Sequence, residues 1–252
     1  MKALLTILLL LVAGQTLAQE SVVAGLSQDR IDITANFDGS DLIIYGAVKR
    51  EVPVPQGALD VIITVEGPSE PERVRRKSRV FGIWINTDVV VIDQAPSFYA
   101  VATTGPFSEV VSDTDDLRNS ISIPRAIRSV GAPQTVDKAQ DFTDALIRLR
   151  GAKGFYRMSE GGVRLTDQTL FRTDVDLPAN LVEGNYKTRI FLLRDKKVVS
   201  LYEKTIFVRK VGLERWLFRL AHHQPALYGL LALAIAAFAG WAASAGFKLL
   251  RN

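Results

Sequence analysis

The sequence predicts a mainly β protein: an immunoglobulin-like sandwich ectodomain with a helical insertion, followed by one C-terminal transmembrane helix. Three observations predict it. Polar and apolar residues alternate at period two through most of residues 22–208. One stretch near residues 135–150 switches to helical spacing. The 252-residue chain also begins and ends in apolar runs of different kinds.

The first run reads as a secretory signal over residues 1–18. Met1-Lys2 is a basic start, residues 3–13 are an apolar stretch, and Thr16-Leu17-Ala18 ends in the small residue that a signal peptidase needs. Cleavage after Ala18 would leave Gln19 as the new N-terminus. The second run, residues 225–248, holds no charge between positions 226 and 247 and is long enough to span a bilayer. Arg209, Lys210, Arg215 and Arg219 precede it, and Lys248 and Arg251 follow it. Basic-residue counting alone leaves the orientation ambiguous. The signal decides it, because it sends the N-terminus across first. The expectation is a single-pass inner-membrane protein with residues 19–211 as a β-rich domain in the periplasm. Residues 212–224 are a juxtamembrane segment and residues 249–252 a cytoplasmic stub.

Composition removes several chemistries. The chain has no cysteine, so thiol catalysis, thiolate metal sites and disulfides are excluded. Its two histidines, His222 and His223, lie at the membrane boundary. A Ser-His-Asp triad or a histidine zinc site in the ectodomain is therefore ruled out. The net charge of +4 is only mildly basic, and export disfavours nucleic acid as a partner. No cofactor motif is present: Gly151-Ala152-Lys153-Gly154 lacks the spacing and the Ser or Thr of a phosphate loop.

Residues 30–34 and 41–48 alternate as strands around turn residues 36–40, which suggests a hairpin. Residues 59–66 are a Val- and Ile-rich strand closed by Gly67-Pro68. Residues 73–86 hold one or two strands, and residues 98–103 another. Asp113, Asp115 and Asp116 mark an acidic loop or helix start; their spacing is wrong for a calcium loop. Beyond Pro133, with Thr135 or Asp137 as cap, Phe142, Ala145, Leu146 and Leu149 share one helical face, and Gly151 and Gly154 end the helix. Residues 169–177 are a strand. Residues 186–193 and 198–208 form a hairpin with Arg194-Asp195-Lys196-Lys197 at its tip. Gly184-Asn185-Tyr186 resembles a tyrosine corner, in which the phenol bonds back to nearby backbone. Residues 213–220 place Leu213, Trp216, Leu217 and Leu220 on one face of a short amphipathic helix, suited to a lipid interface.

The densest chemical feature is the run Arg73, Arg75, Arg76, Lys77 and Arg79. Clustered cations suit an anionic group or an acidic partner. A solvated strand edge, charged against unwanted pairing, explains them equally well. Trp84, inside the apolar stretch that follows, is expected in the core. Phe98 and Tyr99 are expected to point one in and one out. In the membrane helix Ala232, Ala236, Gly240 and Ser244 recur every four residues, a face that admits a second helix closely.

The stretches Val74-Arg75-Arg76-Lys77, Gly82-Ile83-Trp84-Ile85-Asn86 and Pro96-Ser97-Phe98-Tyr99-Ala100-Val101 resemble an alphaproteobacterial transmembrane protein family, Alph_Pro_TM. The resemblance covers nearly the whole chain. It carries over no catalytic residue, since that family has no established activity. It implies an integral membrane permease of the sulfite-exporter type as partner, because such permeases tend to be encoded beside its members. The reading that follows is a non-enzymatic accessory or binding module, membrane-anchored by its helix and so in contact with membrane lipid. An envelope hydrolase working through carboxylates, or a structural or sensory envelope protein, are the alternatives. No spaced carboxylate pair or nucleophile motif stands out for the hydrolase.

Overall fold

The computed structural model describes residues 20–34, 37–50, 57–129, 139–211, 217 and 220–250. The signal segment, Pro133, Thr135, Asp137 and most of the amphipathic stretch 213–220 lie outside these residues. The chain divides into two compact units. One comprises residues 1–31 and 38–208; the other comprises residues 32–37 and 209–252.

The first unit holds the sandwich. Its strands are β1 (Ser21–Leu26), β2 (Arg30–Ile33), β3 (Gly39–Lys49), β4 (Leu59–Glu66), β5 (Ser69–Val80), β6 (Ile83–Pro96) and β7 (Tyr99–Thr103). After a helical stretch come β8 (Tyr156–Ser159), β9 (Arg164–Thr166), β10 (Leu170–Pro178), β11 (Gly184–Arg194) and β12 (Lys197–Lys210). One sheet runs β1-β3-β10-β9 and the other β2-β12-β11-β4-β7-β8. With β1, β3, β4, β9, β10, β11 and β12 taken as strands A to G, these contain the A-B-E-D and G-F-C sheets of the immunoglobulin arrangement. The alternation read from sequence supplies the facing surfaces. Leu42, Ile44 and Val48 of β3 and Phe171, Val175 and Leu177 of β10 are buried on one side; Val61, Ile63 and Val65 of β4 and Ile190 and Leu192 of β11 on the other.

An ionic clasp ties the two sheets. The Glu20 carboxylate accepts from Arg194 Nε at 2.8 Å and Nη2 at 2.9 Å, and from Arg50 Nε at 2.7 Å. Arg194 also donates to Gly57 O, and Arg50 to Thr169 Oγ1 and Gln168 O. The Glu20 side chain is only 4% exposed. The Arg194 hydrogen bonds hold its carboxyl below the usual carboxylate range, against the opposing effect of burial.

Everything between β4 and β9 is inserted into the sandwich. Among the described residues it contributes the hairpin β5–β6, the strands β7 and β8, and the helices α1 (Phe107–Val110), α2 (Asp113–Asn119), α3 (Ile123–Ala126) and α4 (Ala139–Ala152). These cover the outer face of the six-stranded sheet. Ile62, Tyr99, Val101, Phe191 and Leu193 from that sheet pack with Val74, Val90, Ile92, Phe142 and Leu146. Asp113, Asp115 and Asp116 open α2, with Ser112 as its N-cap accepting from Asp115 N. Asp116 spans the next turn, accepting from Ile121 N, Ser122 N and Ser122 Oγ.

Several expectations are corrected. Residues 30–34 and 41–48 do form strands, but not a hairpin: β2 lies beside β12 in one sheet and β3 between β1 and β10 in the other. Alternation fixes a strand's faces and not its neighbour. Leu149 is 54% exposed, because the face of α4 that meets the core is Phe142 and Leu146, one turn apart, with Ala145 and Ile147 partly buried against it. Phe98 and Tyr99 are both buried: β7 is covered on both faces, and Phe98, just before it, packs against the Tyr186 ring at 6.2 Å. The Arg194 end of the β11–β12 turn is buried in the clasp, leaving Asp195 and Lys196 to make the turn with positive φ. The tyrosine corner is present: Tyr186 Oη donates to Val182 O at 2.9 Å. Burial pushes this phenol up to about 12, so it remains a donor throughout the physiological range.

The second unit contains α5 (Pro225–Leu250). Pro225–Ser244 has the length and composition of a membrane span, with mean hydropathy 1.9.

Candidate functional site: the cationic hairpin

The basic run lies on β5, and the strand geometry divides it. Arg73, Arg75, Lys77 and Arg79 point to one face and are exposed; Val74, Arg76, Ser78 and Val80 point to the other. The register sets Val91, Val89, Asn86 and Trp84 opposite the four cations. Successive cations stand about 7 Å apart, within one Debye length at physiological salt, so they act as one patch. None of the four pairs with a carboxylate among the described residues. Arg79 Nε donates to Gly82 O in the adjoining turn at 3.3 Å.

Arg76 has another role. It turns towards α4, its guanidinium 4.7 Å from the centre of the Phe142 ring and 3.3 Å from Asp141 Oδ2. With Val74, Arg75, Lys77, Asp144 and Arg148 it lines an open cleft of about 660 Å³ at the base of the hairpin. Arg76 faces Asp141 across it, while Arg75 and Lys77 border it from the strand. Replacing Arg76 with Gln should cost about 1 kcal/mol of stability, from a cation–π contact and a half-exposed ion pair. Arg75→Gln should change stability by less than about 0.5 kcal/mol. Thermal denaturation of the two variants checks the contrast.

Trp84 is the largest correction. It is 68% exposed, not buried, because residues 80–86 are not one strand. The chain reverses at Phe81-Gly82, a two-residue turn with φ of 49° and 88°. Both values are positive, as a tight hairpin turn requires. Glycine accepts this freely, whereas a left-handed backbone costs a residue such as Phe about 1 kcal/mol. The turn places Phe81, Ile83, Trp84 and Ile85 at the end of the hairpin, beyond the core. Phe81 is wholly exposed at 103% and Ile83 is 65% exposed. Sequence reading missed this tip. The available signal was Gly82 between Val80-Phe81 and Ile83-Trp84-Ile85, a glycine set between two apolar strand-forming segments as in a short hairpin loop.

Ala232, Ala236, Gly240 and Ser244 follow one another on α5, one turn apart and all exposed. The described residues contain no cluster of three or more metal-ligating side chains.

A β domain built by residues 20–211 and an apolar helix over Pro225–Ser244 is the layout of a membrane-anchored ectodomain. A family model described as "Putative transmembrane protein (Alph_Pro_TM)" matches residues 21–249. The chain belongs to the Alph_Pro_TM family. No curated protein matches it. Among solved structures it is similar to the partial N-terminal region of an enterococcal surface protein, at 10% identity and a TM-score of 0.27. The match covers 81% of this chain and 47% of that one, so the Alph_Pro_TM chain spans about half its length. The immunoglobulin-like assignment rests on strand order and the tyrosine corner, not on that likeness.

Proposed function

We propose that this Alph_Pro_TM protein is a non-enzymatic accessory module held on the periplasmic side of the inner membrane. It presents the β5–β6 hairpin to an integral membrane partner, an anion permease of the sulfite-exporter type. The observation that carries this reading is the row Arg73, Arg75, Lys77 and Arg79 on a free face, without carboxylate partners among the described residues. Such a row raises the local potential and steers an acidic surface or a small anion towards it. Ala232, Ala236, Gly240 and Ser244 supply a face on which a partner's helix can pack.

Copurification of the full chain from native membranes tests the proposal. An integral membrane protein should come with the parent chain and be lost from R73Q/R75Q/K77Q/R79Q. Arg76 stays in place because its removal would also loosen α4. Equal recovery of every partner by both chains would refute it.

A further inference from the structure

We infer that the tip of the β5–β6 hairpin is a lipid-docking element, and that its occupant is an anionic phospholipid bilayer. The inference deepens the reading of the hairpin as the binding element, but it needs no protein partner.

Edge protection accounts for the cations. It does not account for Phe81, Ile83 and Trp84, three large apolar side chains that are 65–103% exposed, with Ile85 beside them at 40%. Phe81 adds a second anomaly. It occupies a left-handed turn position that Asn or Gly would take at lower cost, and its side chain returns no packing within the domain. Tip and row together match one chemical environment. Trp, Phe and Ile at the end of a rigid hairpin partition into the headgroup layer and the acyl chains beneath it. Arg73, Arg75, Lys77 and Arg79 stand along the same strand, set back from the turn, where lipid phosphates would meet them. Trp84 faces the same side as Arg79, directly across the ladder. The chain is itself tied to a bilayer by α5, so lipid is always present at high local concentration.

The absence of cysteine permits a clean test on the full-length protein. Ile83→Cys, labelled with an environment-sensitive fluorophore, reports on the tip. Leu117→Cys, on the exposed side of α2, is the reference. In phosphatidylglycerol-rich proteoliposomes the label at position 83 should shift to the blue and be quenched by brominated lipid; the label at 117 should do neither. In phosphatidylcholine the shift should be much smaller. R73Q/R75Q/K77Q/R79Q should lower partitioning of the tip by up to about a thousandfold at low salt. Phe81→Asn should lower it as well while the melting temperature holds or rises, since the strained backbone is relieved. That combination separates lost docking from lost folding.

A label at 83 as water-exposed as the one at 117 in anionic lipid would overturn the inference. So would shielding from acrylamide without quenching by brominated lipid, which would mean that protein covers the tip. Equal quenching in both lipids and in the cation variant would overturn the anionic part. These experiments use a single purified protein, so a missing permease cannot cause their failure. Conversely, lipid contact by the tip together with equal recovery of membrane proteins by the parent and the cation variant would refute the partner reading alone.

Discussion

Replacing Glu20 with Ala is expected to destabilise the β domain by about 3–5 kcal/mol, the cost of leaving a buried cation without its counter-charge. The carboxylate takes three hydrogen bonds from Arg50 and Arg194, whose side chains are 11% and 8% exposed. Its loss leaves two guanidinium groups between the sheets with only hydroxyl and backbone acceptors. Equilibrium denaturation of the parent and the variant measures it. A loss under about 1 kcal/mol would show that water reaches both arginines once the acid is gone. The clasp also gives stability a pH dependence. The folded carboxyl titrates below its unfolded value, so the stabilisation is fully present above the ordinary carboxylate range, near 4.3. It is lost as pH falls through the lower folded value. Below about pH 4 the parent should therefore lose stability more steeply than Glu20→Gln, which has nothing to titrate at that position.

Arg189→Met should cost about 2–3 kcal/mol, by removing a charged donor from groups that have no substitute. From β11 its guanidinium reaches Asn119 O at 2.7 Å, Ser120 O and Tyr99 Oη at 3.0 Å, and Thr64 Oγ1 at 3.2 Å. Two of these acceptors end α2, where a cation also meets the negative end of the helix dipole. Tyr99, pushed up to about 12 by burial, stays neutral and donates to Ile121 O at 2.8 Å. The node thus anchors the inserted helices to the sandwich sheet. Lysine should recover less than half of the loss, because a point charge cannot fork between four acceptors. Full recovery by Arg189→Lys would mean that charge alone matters there.

What could be read from the sequence follows the range of each interaction. Tyr186 was legible because its corner closes over four residues, β10 and β12 because burial leaves its mark on alternate positions, and β4 and β11 because strands buried on both faces read as apolar runs. β1 escaped notice: Ser21-Val22-Val23-Ala24-Gly25-Leu26 holds one buried residue and shows no alternation. Strand pairing was legible only where a tight turn joins the partners, as in the β11–β12 hairpin; without one the supposed hairpin of β2 and β3 failed. The Glu20–Arg194 contact joins residues 174 positions apart, which no local pattern could reveal. The basic run was legible as a cluster. Its division into Arg76 on one face and four free cations on the other required knowing that β5 is a strand with α4 beneath it. Trp84 was misplaced for a related reason: an apolar residue in a strand implies a core only while the strand remains over one.

The account rests on the four exposed cations as the contact surface of an anchored module. The most direct measurement is quantitative recovery of membrane partners by the full chain and by R73Q/R75Q/K77Q/R79Q, each at low and high salt. The prediction is strong recovery by the parent at low salt, a steep fall as salt shortens the Debye length below about 8 Å, and little recovery by the variant at either salt, with both chains melting together. Recovery that is insensitive to salt, and equal for the two chains, would contradict it.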